Sequence, residues 1–285
     1  MFMEIRPVKL ADVDSALALI NAEGWEYSKE EIERMIRLDP GGSFFYIDHK
    51  PVGVITTVTF GRTGVIGHLV VSKDARGRRV GQSLLKHAVD CLETAGIESI
   101  ILYATPDGER LYKRYGFAVR GLAYATKAIN NGEYDSLRTE LLGRVVSKDL
   151  EQIIMMDQEL FGDDRGKMIR HLHDEFPAHS FKAERDGQIV GYAFGRKSSV
   201  ARDLGPWGCT STDRNDAEAV FGACVQSMGR GPVFFGVFQK NQQAWEIAIK
   251  LHIMRAWPTQ LMVRGRERYT GALSSIFGIV GFELG

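Results

Sequence analysis

Residues 64–92, GVIGHLVVSKDARGRRVGQSLLKHAVDCL, limit the fold more than any other stretch. Residues 65–71 are an apolar, β-branched run with the length of a buried strand. Residues 72–79 are polar, small or basic. Val80, Leu84, Leu85, Ala88, Cys91 and Leu92 then recur at helical spacing, so a helix is expected from about Arg79. A strand that feeds a helix through such a turn builds an anion site, because first-turn amides have no partner inside the helix and point outward. Gly77 and Gly81 let a ligand approach the backbone, and Lys73, Arg76, Arg78 and Arg79 add positive charge. A pyrophosphate suits the site. A solvated basic turn is the reading this segment alone leaves open beside it.

At 285 residues the chain is long enough for one large or two medium domains. Lys plus Arg equals Asp plus Glu at 36 each, so no global field favours nucleic acid or an anionic membrane. Cys91, Cys209 and Cys224 are far apart and lack metal-site spacing; Cys91 and Cys224 sit on apolar helical stripes, as small core residues do. A reducing, cytoplasmic setting is expected, with no metal. The opening MFMEIRPV has no charged n-region followed by an apolar run, so no signal peptide is expected, and residues 270–282 are too short and too rich in Gly and Ser to span a bilayer.

In chain order, residues 4–8 read as a strand and residues 13–20 as a helix. Ser28-Lys29-Glu30-Glu31 is a capping box launching a second helix. Residues 43–47 and 52–60 read as strands joined at Asp48-His49-Lys50. Residues 99–103 are a further buried strand, Thr105-Pro106 starts a helix, and residues 117–128 alternate as closing strands.

Residues 104–117, ATPDGERLYKRYGF, complete the picture begun by the basic turn. The turn resembles the acetyl-CoA loop of the GNAT acetyltransferase superfamily, Gln/Arg-x-x-Gly-x-Gly/Ala, which falls here on Arg76 to Gly81. The later segment resembles that superfamily's Leu-Tyr-x-x-x-Gly-Phe element, on Leu111 to Phe117. The pattern's first glycine is Arg79 in this chain. The element order βααβββαβαβ over about the first 130 residues matches the GNAT arrangement, and residues 104–117 most resemble a subgroup with a second GNAT-like domain.

The remaining residues fit a duplication. RVVSKDL at 144–150 echoes RPVKLAD at 6–12, and residues 180–192 echo 43–54, with Asp186-Gly187 as a hairpin turn. Residues 233–238 correspond to 100–103, and a helix at 241–252 to that at 107–115, with Ala248 opposite Tyr112. A linker is expected from Ile129 to about Leu142. Where the first copy has Arg76 to Gly81, the second has CTSTDRND at 209–216, without a glycine pair; its acids and Thr212 read as helix caps feeding Val220, Phe221, Cys224 and Met228. The expected fold is α/β (α+β): two tandem GNAT-like domains, each a mixed, mostly antiparallel sheet flanked by helices, at residues 1–137 and 138–285, the second degenerate.

The resemblance implies transfer of an acetyl group from acetyl-CoA to a primary amine. It assigns the thioester carbonyl to the backbone of Leu69, Val70 and Val71, with pantetheine running antiparallel to that strand, in the splay between it and residues 99–103. It assigns the pyrophosphate to the loop Arg76, Gly77, Arg78, Arg79, Val80, Gly81 and Gln82. Oriented N–H groups of this kind are often worth ~3 kcal/mol in the transition state. Tyr112 holds the position of the family's general acid, against the reading of a packed, hydrogen-bonded tyrosine. His68 is a candidate base or a satisfied core histidine, since strand alternation can turn it either way; Glu23 and Glu26 beside Trp25, or a water chain, are alternatives. Trp207, Trp245, Trp257 and Asp203 either fill the second copy's core or wall the acceptor pocket. Residues 276–282 resemble the subgroup's closing strand. A small-molecule amine is the expected acceptor. A protein lysine or N-terminus, or a CoA-binding regulatory module without turnover, is the alternative. Oligomeric state is open.

Overall fold

Alternation and helical spacing become thirteen strands and eight α-helices in the computed structural model, which describes residues 3–134, 140–267 and 274–285. The first half runs β1 (Met3–Pro7), α1 (Val13–Asn21), α2 (Lys29–Leu38), β2 (Phe44–Asp48), β3 (Lys50–Phe60) and β4 (Thr63–Val71). It continues with α3 (Val80–Thr94), β5 (Ser99–Ala104), α4 (Pro106–Arg114) and β6 (Ala118–Asn130). The second half repeats the order: β7 (Leu142–Arg144), α5 (Leu150–Phe161), α6 (Gly166–Glu175), β8 (Ser180–Arg185), β9 (Gln188–Lys197) and β10 (Arg202–Cys209). Then come α7 (Arg214–Ser227), β11 (Gly231–Phe238), α8 (Gln242–Lys250), β12 (Met254–Gly265) and a short β13 (Ile276–Gly278).

The local signals act as their chemistry requires. Ser28 Oγ accepts from Glu31 N at 3.3 Å, and Glu31 Oε2 accepts from Ser28 N at 2.8 Å, closing the capping box of α2. Asp186 and Gly187 take φ of 49° and 75°, the left-handed pair that a tight hairpin between β8 and β9 needs. The sequence echo carries its hydrogen bonds with it. Lys9 N donates to Asp12 Oδ2 at 3.0 Å and Val146 N to Asp149 Oδ2 at 2.9 Å, each closing the short 3-10 turn before a helix.

The two halves share one sheet, in the order β1-β2-β3-β4-β5-β12-β6-β11-β10-β9-β8-β7. Each half thus gives a long strand to the other: β12 pairs antiparallel with β5, and β6 pairs antiparallel with β11 over eight residues, Gly231↔Asn130 to Phe238↔Ala123. Residues 117–128, read as several closing strands, are one strand extending to Asn130. Residues 129–130 of the expected linker therefore lie in β6, and residues 135–139 of it lie outside the described residues. β12 has no clear signal in the sequence, because residues 254–258 are exposed and a register shift between Arg255 and Pro258 breaks the alternation. Only residues 276–278 of the expected terminal strand are extended; residues 279–285 turn back on themselves through Leu284 N and Gly285 N, both donating to Gly281 O.

One apolar cluster joins Met35, Val58, Phe60, Val65 and Ile101 of the first half to Ile153, Phe161, Ile169 and Phe194 of the second. Across the same face Arg34 grips Glu175 with two hydrogen bonds, at 2.7 and 2.6 Å. Burial alone would push Glu175 up, but Arg34 and His171 outweigh it and bring its pKa to about 2. Arg165 holds Asp157 at 3.0 and 2.7 Å and donates to Gly285 O at 2.8 Å, so the 279–285 turn is anchored as well. On the opposite sheet face α3 packs on Ile66, Ile100 and Leu102, and α7 on Trp207 and Phe235. Interleaved strands and a common core predict one cooperative unfolding transition for both halves. Scanning calorimetry checks this; two resolved transitions would contradict it.

Candidate active site

The site begins with an irregularity in β4. Ile55 pairs with Leu69 and Thr57 with Ile66, so Gly67 and His68 stand opposite the single residue Thr56. That bulge bends the strand. The parallel ladder from β4 to β5 runs only from Thr63↔Ser99 to Ile66↔Leu102, and beyond it the strands part. Leu69, Val70 and Val71 stay paired to β3 on one edge, while their other edge faces the gap.

The gap leads to the N-terminus of α3. Ser83 N is the first amide to reach back, to Arg79 O at 3.0 Å, and no side chain caps the helix. The amides of Gly81 and Gln82 are thus left for a ligand, with no acid in the first turn to compete. Gly77 has φ of 78° and Arg79 φ of 63°, both left-handed. The position where the superfamily pattern has glycine is one where glycine is unstrained, and Arg79 holds the same backbone at a cost. Arg76 donates to Val71 O at 3.2 Å and pairs with Glu23; Arg78 lies 3.6 Å from Asp48. Arg79 and Lys73 carry no ion pair among the described residues, and both are exposed or nearly so. Gly81 meets only Val71 Cγ2, at 3.4 Å from where a Cβ would stand, so a side chain fits there.

Tyr112, on α4, is buried in the cluster that contains Ile66, Leu102 and Ala104, with its ring 6.0 Å from that of Phe117. Burial pushes its pKa up to about 12. His68 is on the opposite face. The bulge turns it toward α1 and α2, where its ring meets Tyr27 edge-on at 4.4 Å and Trp25 at 5.7 Å. Thr56 Oγ1 accepts from His68 N at 2.9 Å and lies 3.2 Å from Nδ1, whereas Nε2 is buried without a partner. Burial lowers its pKa to about 3, which leaves a neutral, weakly basic imidazole.

The second half contributes residues that sequence reasoning did not assign. The backbone of Glu283 packs so closely on Gly67 that a Cβ there would lie 2.9 Å from Glu283 O. Tyr27 Oη donates to Glu283 Oε2 at 3.4 Å, and Arg196 Nη1 is 3.8 Å from Oε1. Arg196 is paired in register with Asp203, and its Nη2 donates to Val280 O at 2.5 Å. Burial raises the carboxyl of Asp203 to about 7; Arg196 opposes the rise, and Glu31 and Glu283 add to it. Glu283 is likewise raised by burial. Only Asp203 of this group was marked in the sequence. Glu283 follows an apolar run with no motif around it, and nothing local announces where it goes. Trp207 is core, packed on Phe221 and Phe277, and Trp257 is exposed.

The equivalent place in the second half is closed. β10 and β11 share the single register pair Asp203↔Phe234, and β13 then runs between them, antiparallel to β10 through Trp207↔Gly278 and bridged to β11 through Gly236↔Ile279. Of the expected caps it is the acid Asp213, rather than Thr212, that caps the helix after β10, its Oδ1 accepting from Asn215 N at 3.0 Å. Asp213 and Asp216 also hold Arg185, filling that helix start with acid.

Two outcomes follow from these energies. Arg79→Gly removes a left-handed cost of ~1–2 kcal/mol and gives back ~0.5–1 kcal/mol of unfolded-state entropy, so the urea midpoint should rise by the equivalent of up to about 1.5 kcal/mol. Asp203 has a folded pKa near 7, above its unfolded value, so its ionisation costs stability that is fully expressed above pH 7 and absent at acid pH. Asp203→Asn should therefore stabilise the protein at pH 8, on the order of a few kcal/mol, and leave it unchanged or weaker at pH 4; a loss of stability at pH 8 would contradict the strained carboxylate.

Known proteins resemble both halves. Residues 40–119 and residues 153–278 each match a family model described as an acetyltransferase (GNAT) domain. An uncharacterized N-acetyltransferase of Bacillus subtilis, YitH, is 23% identical over 205 residues, covering 70% of this chain and 71% of that protein. A candidate acetyltransferase of Pyrococcus horikoshii superposes with a TM-score of 0.84 at 17% identity, over 99% of this chain and 96% of that one. A tandem GNAT protein from the clavulanic acid biosynthesis pathway superposes with a TM-score of 0.68 at 12% identity, over 93% and 98%. With a matching domain in each half and a whole-chain superposition on a tandem protein, the chain belongs to the GNAT acetyltransferase family and carries two of its domains in tandem.

Proposed function

We propose that this acyltransferase moves an acetyl group from acetyl-CoA to the primary amine of a small molecule, with residues 1–137 as the catalytic unit and residues 138–285 as a degenerate partner. The observation that carries the reading is the gap between β4 and β5, which opens beside Leu69, Val70 and Val71 and ends at the uncapped start of α3. An extended chain with an amide backbone fits the free edge of β4, and a pyrophosphate fits the amides of Gly81 and Gln82 with Arg79 and Lys73 nearby. The donor would supply an acyl carbon already activated as a thioester.

The chain's own groups then divide the work. Backbone N–H on the bulged β4 polarises the carbonyl. Tyr112 Oη, a phenol protonated at neutral pH, is the group that gives a proton to the departing sulfur. The pKa of His68, near 3, argues against it as the base, and its wall of Trp25 and Tyr27 suits a role in shaping the acceptor side. Packing of the 279–285 turn over Gly67 narrows that side and favours a small acceptor over a peptide, which needs an open groove. In the second half β13 occupies the place that the donor takes in the first, which supports a single donor site per chain. Three free cysteines, two of them buried, are compatible with the proposed cytoplasmic setting.

Calorimetric titration of acetyl-CoA, paired with an amine-acetylation assay, tests the reading. One site per chain is expected, abolished by Gly81→Glu, which puts a carboxylate among the α3 amides. Tyr112→Phe should keep that affinity and lower turnover by about tenfold or more. Two sites would reopen the second half as a donor site, and absence of binding would end the proposal.

A further inference from the structure

Tyr27, Asp203 and Glu283 lie close together and each is partly exposed to solvent, so they line a recess rather than a sealed core. Glu31 lies at the same place and is also partly exposed. The crevice starts where Glu283 packs on Gly67, beside the ring pair of Tyr27 and His68, and runs along the paired strands that carry Arg196 and Asp203. Its charges do not balance. Three carboxylates, Glu31, Asp203 and Glu283, face one guanidinium, Arg196, because Arg34 is committed to Glu175.

The accessible part of that surface is acidic. The Asp203 carboxylate makes no hydrogen bond among the described residues and is reached by solvent. The Arg196 side chain is 7% exposed, and its Nε is buried without a partner. His68 Nε2 is a second buried atom without a partner at the mouth. Acids kept together with so little compensation are costly in the empty protein, and a cation that enters between them relieves the cost.

We propose that this crevice binds a second positive charge on the acceptor, so that the preferred substrate is a small amine carrying another cationic group, a diamine being the simplest, held by Asp203 and Glu283. The inference rests on the acetyltransferase reading for where the reacting nitrogen lies: beside the β4 bulge and the neutral imidazole of His68, where an uncharged amine is favoured. The remote charge then sits against the second half, which gives that half a part in specificity. A zwitterionic amino acid fits less well, since its carboxylate would meet the acids before it met the enclosed guanidinium.

Titration of the full chain with putrescine, butylamine and γ-aminobutyrate at pH 8, without acyl donor, tests this. Putrescine should bind at least about tenfold more tightly than butylamine, and γ-aminobutyrate should be the weakest. Asp203→Asn and, separately, Glu283→Gln should each remove most of that preference. The affinity for putrescine should fall between pH 8 and pH 6 as Asp203 takes up a proton in the field of Glu31, Glu283, Tyr27, Arg34 and Arg196. Equal binding of the diamine and the monoamine, a preference for γ-aminobutyrate, or a preference unchanged in both variants would overturn the proposal. Because no donor is present, failure of acetyl-CoA to bind would be read separately and would strike the catalytic reading rather than the crevice.

Discussion

The bulge at Gly67 and His68 sets the geometry on which the rest of the site depends. Two residues opposite Thr56 bend β4 away from β5, and three consequences follow from that one extra residue. A backbone edge is left free beside Leu69 to Val71. His68 is turned to the α1–α2 side, where Thr56 Oγ1 fixes it. The missing Cβ of Gly67 admits the backbone of Glu283. A regular strand would have closed the sheet there and left no gap between β4 and β5. The ladder bonds lost at the bulge are partly replaced by the Thr56 hydroxyl, so the irregularity is held rather than loose.

The second constraint is the exchange of β6 and β12. In each half the fifth strand, β5 or β11, is paired with a strand that the other half supplies. The halves therefore cannot shift relative to each other without breaking the sheet, and the 279–285 turn stays at a fixed distance from β4. That rigidity suits a cluster built from both halves, since Tyr27 and Glu31 of the first and Arg196, Asp203 and Glu283 of the second keep their mutual effect only while their separation is fixed. The two gaps in the sheet have had different fates. The one between β4 and β5 is open, while that between β10 and β11 is filled by β13, which satisfies the free edges with the chain's own backbone.

Much of both halves was legible because the signals are local. The Ser28 capping box and the Asp186-Gly187 hairpin are each set by residues within four positions of one another. The start of α3 and the departure at Arg79 were likewise visible, and the left-handed φ supplies the reason why the pattern has glycine there. Thr212 and the adjacent acid Asp213 were both legible as caps, and local propensity does not choose between them because Thr and Asp both cap well; the structure uses Asp213. β12 was missed for a different reason: its solvent-facing start and its register shift erase the alternation that marks a strand.

By itself, then, the sequence determined the strand–turn–helix of residues 64–92, the duplication, and the family to which both point. These are encoded in short-range periodicity and backbone preference. Only the tertiary structure decided which way His68 faces, because a bulge reverses the alternation from which its direction would be read. Only it brought Glu283 to Gly67 and Arg196 beside Asp203, and only it passed β6 and β12 between the halves. Those contacts join residues up to more than two hundred positions apart, and their energies come from burial and from electrostatics in a low-dielectric crevice. No local pattern records such a term, because it exists only once the sheet has closed around it.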